Sequence, residues 1–268
     1  MLVQFSLNSA EARWVLAEGF WRWAPVKAAR RVVVCRSTTG AALMVHRWPQ
    51  FPWQSFAAGV TTSENVGVLR QPAAEALVTG DSWRQVPLSD IRDLGPSDLI
   101  VKSANTYDGR RAGVLLGHRQ GHGTMGRIYP ELDRTGDAAG CPAKVVVPML
   151  SEKLLPPDAL EPSGYPDAAL GWASRFMVYT PDLILDERQA ITELVGGLVR
   201  IVGRGASLDG LSVTSYHVDL PDEQAAAKLY ALIDAAKQAQ LLPFDQAGVL
   251  SSSAGAEWKG SADNAARQ

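Results

Sequence analysis

The sequence predicts an α/β protein: an open, mostly parallel sheet flanked by helices, followed by a smaller C-terminal α+β unit. Three observations point there. Short β-branched runs, "RRVVVC", "DLIVK", "AGVLL" and "AKVVVPML", recur through the first two thirds of the chain. Helical patterns stand between them, and continuous rather than alternating apolar runs suit strands covered on both faces. The last third changes character, with an alternating strand pattern between two helical ones.

Residues 8–23 carry Ala12, Val15, Leu16, Gly19, Phe20 and Trp23 at helical spacing, opened by Asn8 and Glu11 in the manner of a capping box. Pro25 ends that helix or starts a new turn. "RRVVVC" then reads as a buried strand, and "RSTTGAALMVH" passes through hydroxyl residues into a helix. Residues 48–60, with two prolines and four bulky aromatics, read as an ordered loop packed over a core edge. Residues 60–95 read as irregular and β-rich. Next come a strand ("DLIVK"), a loop ("SANTYDGRR"), a second strand ("AGVLL"), a glycine loop and a helix over 124–134. "AKVVVPML" is a third strand, ending at "SEKLLPP". In the last third, "DERQAITELVGGL" is a helix, "VRIVG" and "LSVTSYHVDL" are strands, and "DEQAAAKLYALIDAAK" is a helix. The expected division is therefore an α/β domain over 1–180, a small α+β unit over 181–245 and an aperiodic, disordered tail over 246–268.

A chain of 268 residues can bury a large core. Its net charge of −2 and 20% charged residues show no basic footprint for nucleic acid. The densest basic run, residues 27–31, reads as a solvated helix end. Cys35 and Cys141 make no disulfide framework and read as reduced thiols. With no long apolar run and no secretory signal pattern, the expectation is a cytoplasmic protein without a membrane contact. The composition leaves a homo-oligomer open.

The chemistry concentrates in "GVLLGHRQGHGTMGRIYPEL". Gly121, Gly123 and Gly126 spell G-x-G-x-x-G before a helix, where glycines let the backbone approach a phosphate and free N–H groups face it. Gly117 to Gln120 intervene after the strand, and the next acid, Glu152, comes late for a ribose contact. A general anion site is thus favoured over NAD(P), and a tight surface turn also explains the glycines. His118 and His122 lack companions for a metal site. Ser37, Thr38 and Thr39 follow a strand and open a helix: one hydroxyl suffices as a cap, and three could also hold phosphate oxygens.

The order of these loops, "RSTTGAA", "KSANTYD", "GHRQGHGTMG" and "SEKLL", resembles the ribose-5-phosphate isomerase, glucosamine-phosphate deaminase and CoA-transferase type of fold across residues 30–155. The chain over 10–240 is also similar to an uncharacterised prokaryotic family with G-T-T, K-G-A-N, G-G-T-I-G and E-K-L at the same points. The first resemblance implies phosphate contacts from Thr38, Thr39 and Lys153, and proton transfer by Glu131. Where the isomerases carry closely spaced acids, this chain has Lys102, Ser103, Ala104 and Asn105, with Asp108 only afterwards. That loop suits binding an anion better than opening a sugar ring.

The expected function is an enzyme that binds a small phosphorylated or carboxylated metabolite and transfers a proton in isomerase fashion, with no cofactor. The catalytic candidate is Glu131; the ligand-binding candidates are Ser37, Thr38, Thr39, Lys102, Asn105, Gly121, Gly123, Thr124 and Lys153. Two alternatives stand beside it: a non-catalytic metabolite-binding module and an NAD(P)-binding oxidoreductase.

Overall fold

The computed structural model describes residues 1–56, 74–116, 123–129, 142–164, 174–206 and 210–239. Among these, the strands are β1 (Leu2–Asn8), β2 (Val32–Val34), β3 (Glu75–Thr79), β4 (Ser82–Val86), β5 (Leu99–Val101), β6 (Thr106–Tyr107), β7 (Ala112–Leu116), β8 (Lys144–Met149), β9 (Arg175–Tyr179), β10 (Leu183–Asp186), β11 (Leu198–Ala206) and β12 (Ser212–Asp219). The helices are α1 (Ser9–Arg22), α2 (Ala24–Ala28), α3 (Thr38–Arg47), α4 (Trp53–Phe56), α5 (Gly123–Ile128), α6 (Glu187–Val195) and α7 (Glu223–Gln238).

The central sheet has the order β10-β8-β5-β2-β3-β4. Its first four strands run parallel; β3 and β4 form an antiparallel hairpin on its edge. Gly80 turns that hairpin with φ at 57°, a backbone conformation that glycine adopts without strain. The sheet is buried on both faces, which is why its strands lack polar alternation. Val32, Val34, Val101 and Val146 enter one core with α1, α3, α6 and α7. Val33, Ile100, Val145 and Val147 point the other way, into a second core with α5, β7 and β9.

Local patterns are realised closely in several places. Asn8 caps α1, with its Oδ1 accepting from Ala10 and Glu11 N–H while the Glu11 carboxylate takes the Asn8 N–H at 2.9 Å. Pro25 sits in the first turn of α2, where its missing N–H is no loss. Asp186 makes a second capping box at α6 with Gln189. The 8–23, 36–46, 186–198 and 222–237 patterns correspond to α1, α3, α6 and α7.

Elsewhere the fold departs from expectation. The sheet is mixed rather than mostly parallel. The "AGVLL" run, β7, does not join it but forms a separate antiparallel sheet of order β6-β7-β9. A short apolar run carries no information about its pairing partner, and β7 finds its partner in β9. Residues 2–8, with no expected strand, pair along β12 from Leu2 opposite Asp219 to Asn8 opposite Val213. The resulting sheet, β1-β12-β11, carries helices on one face. Strand pairing therefore links the first residues to the C-terminal unit, while β10 ties residues 183–186 into the central sheet. Residues 53–56 form one helical turn within the aromatic loop. Of the helix expected over 124–134, Gly123–Ile128 forms α5 and Tyr129 follows it; residues 130–134 and the 246–268 tail lie outside the described residues, as does Cys141. Cys35 is buried at 1% exposure. No helix among the described residues is long and apolar enough to cross a membrane.

Candidate functional site

Parallel α/β sheets gather ligands at the carboxyl ends of their strands, where loops and helix starts converge. Here β2 leads into Cys35, Arg36 and Ser37, and β5 into Lys102. Because β3 runs antiparallel to β2, with Ala76 opposite Val34, the first residue of β3 arrives at that same edge. That residue is Glu75, a carboxylate only 3% exposed.

Two donors hold it. The Arg36 N–H reaches Oε2 at 2.6 Å, and the Thr124 hydroxyl donates to Oε1 at 3.4 Å. Burial pushes the Glu75 carboxyl above its ordinary range. The Arg36 N–H, the Lys102 and Arg36 charges and the Thr124 hydroxyl counter that push only in part. Burial also lowers the Arg36 guanidinium, whereas the Glu75 charge raises it. Thus a buried acid with raised proton affinity stands among cationic and hydroxyl groups from β3, the β2 loop, the β5 loop and α5.

Six expected site residues border Glu75 or share its edge in distinct ways. Thr124 touches it, and Lys102 acts on it by charge. Thr38 and Thr39 occupy the first turn of α3, directly after Arg36, with Thr39 buried and Thr38 half-buried. Ser37 is the helix cap: its Oγ accepts from the Gly40 N–H at 2.7 Å. Gly123 is the first residue of α5.

Two others are placed differently. Asn105 fastens the β6–β7 connection, its Oδ1 accepting from the Leu115 N–H at 2.9 Å and its own N–H donating to the Gly113 carbonyl. Lys153 ends a 3-10 turn, Ser151–Lys153, after β8, and its carbonyl accepts from the Thr106 hydroxyl at 2.8 Å. Burial lowers its amine; Glu152 raises it and Arg13 lowers it further, so its charged neighbours differ from those of Glu75. Glu131 and Gly121 lie outside the described residues, as do His118 and His122. Among the described residues, no three His, Cys, Asp or Glu side chains gather into a metal-binding group.

A second buried network joins the three sheets beside this edge. Glu187, 1% exposed at the start of α6, accepts from the Ser151 N–H at 2.8 Å, from the Ser151 hydroxyl, and from the Tyr216 hydroxyl of β12 at 2.7 Å. Its neighbour Asp186 accepts from the Tyr107 hydroxyl of β6 at 2.8 Å and from Arg188. Burial, then the Asp186 charge, pushes the Glu187 carboxyl upward. Both tyrosines are likewise raised well above their ordinary value, first by burial and then by these carboxylates.

Sequence reading missed Glu75, Glu187 and Asp186 as a group. Glu75 did leave a trace: an acid opening the apolar run "EALV" has no reason to be at a strand start unless something there receives it. Asp186 and Glu187 stand only within the helical pattern "DERQAITELVGGL", where they are the cap and a first-turn acid of α6. Comparison with protein-family models, characterised proteins and solved structures finds no match for this chain.

Proposed function

We propose that this protein binds a small phosphorylated or carboxylated metabolite at the carboxyl edge of β2 and β5, and that it moves a proton on that ligand through a buried carboxylate. The observation that carries the reading is Glu75: 3% exposed, raised by burial, and set beside Arg36 and Lys102. A carboxyl whose proton affinity is raised above the ordinary carboxylate range both accepts and returns a proton more readily, as general acid–base catalysis requires. Arg36 and Lys102 offset the negative charge of a ligand, and the first turn of α3 offers N–H groups beside the Thr38 and Thr39 hydroxyls. Glu75 thereby takes, among the described residues, the role that the resemblance gives to Glu131. The order of loops shared with the ribose-5-phosphate isomerase type supports an isomerase-like proton transfer.

The test begins with a thermal-shift screen of sugar phosphates, CoA esters and carboxylic acids. A ligand at 100 times its dissociation constant stabilises by about 2.7 kcal/mol. Hits are then incubated in D2O, and deuterium entry at a carbon is followed by NMR. Exchange that Glu75→Gln abolishes, with ligand affinity held within a few-fold, establishes the role; exchange unchanged by Glu75→Gln refutes it.

One observation favours a non-catalytic binding module instead. Both Glu75 oxygens already have protein donors, Arg36 N–H and the Thr124 hydroxyl, so the carboxylate also serves to order the loop after β2. Under that reading ligands bind, Lys102→Ala weakens them, and no exchange occurs.

A further inference from the structure

The opposite ends of the same strands frame a cavity of about 480 Å³, within the range of small-molecule sites. Val32, which opens β2, and Val78 of β3 line it with Val26 and Trp21. Arg36 stands beyond the other end of β2, roughly 13 Å from Val32, and Glu75 opens β3, roughly 10 Å from Val78, at the rise of an extended chain. The cavity is thus separate from the edge assigned above, and its reading is independent of that one.

Its charged lining is unbalanced. Arg22, Lys27, Arg30 and Arg47 face it, against the carboxylates of Glu18 and Asp81. Arg22, Lys27 and Arg47 stand in the last turns of α1, α2 and α3, where a cation offsets the negative end of the helix dipole. Dipole balance explains each residue type; it does not require three helix ends to converge on one cavity. Arg30 and Arg22 are held by the buried or mostly buried carboxylates of Asp98 and Glu18, so Lys27 and Arg47 are the two lining cations left to match a dianion.

The existing partners of these cations leave Lys27 and Arg47 available. Arg47 is fixed by stacking, its guanidinium 4.8 Å from the Trp21 ring centre and 5.0 Å from that of Trp48, and its carboxylate partner Asp81 is fully exposed. Arg22 and Arg30 stay with Glu18, 17% exposed, and with the fully buried Asp98, whereas Asp81 is a solvent-facing partner of the kind that binds weakly. A ligand oxygen can replace or share such a partner. Deeper in, His46 Nε2 and Glu18 Oε2 lie 2.7 Å apart with both side chains mostly buried, a polar pair beside an apolar floor. Cationic rim, apolar floor and one buried polar pair suit a molecule with a charged end and a ring-bearing body.

We infer that this cavity is a second ligand site, which takes a phosphomonoester dianion attached to a body of about nucleoside size. Lys27 and Arg47 contact the phosphate, and the Trp21–Val26–Val32 floor receives the remainder. The run at residues 27–31, which reads from sequence as a solvated helix end, supplies part of this rim.

Calorimetric titration of the full chain with AMP, adenosine and inorganic phosphate tests the assignment. AMP is expected to bind, with adenosine and phosphate each at least tenfold weaker. The double variant Lys27→Gln/Arg47→Gln should weaken AMP at least tenfold, and Lys102→Gln should leave it unchanged. Lys27 is exposed, so Lys27→Glu keeps the fold and by itself must weaken AMP; it decides the matter if the double variant does not fold by near-UV circular dichroism. No AMP binding, or binding indifferent to Lys27→Glu, overturns the inference. Loss of AMP in Lys102→Gln but not in Lys27→Glu also overturns it, and moves the nucleotide to the carboxyl edge of the sheet.

Discussion

Replacing Tyr216 with Phe removes one hydroxyl from a fully buried ring; that hydroxyl donates to Glu187 at 2.7 Å and also meets the Ser151 hydroxyl at 3.5 Å and Thr214. No cavity beyond the hydroxyl opens, and Glu187 keeps the Ser151 N–H and hydroxyl, so the carboxylate is weakened rather than abandoned. The loss then depends on the charge of Glu187. A bond to an ionised group contributes about 1.5–3 kcal/mol, and one between neutral groups about 0.5–1.5 kcal/mol. Burial raises the folded-state affinity of Glu187 for its proton. Its contribution to stability is therefore fully present below the unfolded value of about 4.3 and is lost as pH rises through the folded value. Tyr216 opposes that loss by donating to the ionised form. Tyr216→Phe should accordingly be mild in acid and more damaging in base, where a chain of this size should lose about 3–12 °C in melting temperature. Urea unfolding across pH 5–9, with Glu187→Gln and the double variant completing the cycle, measures it. A penalty that persists in full on the Glu187→Gln background refutes the reasoning.

Other outcomes can be stated more briefly. Asp98 is fully buried; burial pushes it upward, but Arg30, Arg31 and the Gly95 N–H hold it well below its usual range. Asp98→Asn should destabilise by about 3 kcal/mol, near the lower end for a broken buried pair. Since the folded value is depressed, the effect is present above pH 4 and fades as pH falls through the folded value, which chemical denaturation at pH 7 and pH 3 compares. A Cβ on Gly19 would lie 2.4 Å from the Ala190 Cβ, so Gly19→Ala should force α1 and α6 apart and destabilise by about 1–3 kcal/mol in thermal melts. Ser37→Ala should lower stability by about 1 kcal/mol as a lost cap, yet leave affinity for any anion found in the screen unchanged. Thr38→Ala with Thr39→Ala should instead weaken that affinity, by the same binding measurement. Titration with NAD(H) and NADP(H) is expected to show no binding in the micromolar range; a clear signal would favour the oxidoreductase alternative.

What the sequence determined by itself is local. Asn8 with Glu11, Asp186 with Gln189, the apolar period of residues 223–238 and the β-branched runs at 32–34, 99–101 and 144–149 all act over a few residues, and these elements form where they are legible. The hydroxyls of "RSTTG" were readable as a cap, because a cap needs only a strand end before it and a helix after it. Lys102 and Thr124 were legible as loop residues with binding chemistry, though not as neighbours of Glu75. Tertiary structure decided the pairing. "LVQFSLN" and "AGVLL" have no period that names a partner, and β12 and β9 supplied theirs from 205 or more and 59 or more residues away in the chain. It also decided which acids are chemically unusual. Glu75 lies 39 residues from Arg36 and 49 from Thr124, and Glu187 lies 36 from Ser151 and 29 from Tyr216. A carboxylate is perturbed by the low dielectric and the charges around it, and in this fold those surroundings are assembled from strands and helices far apart in the chain.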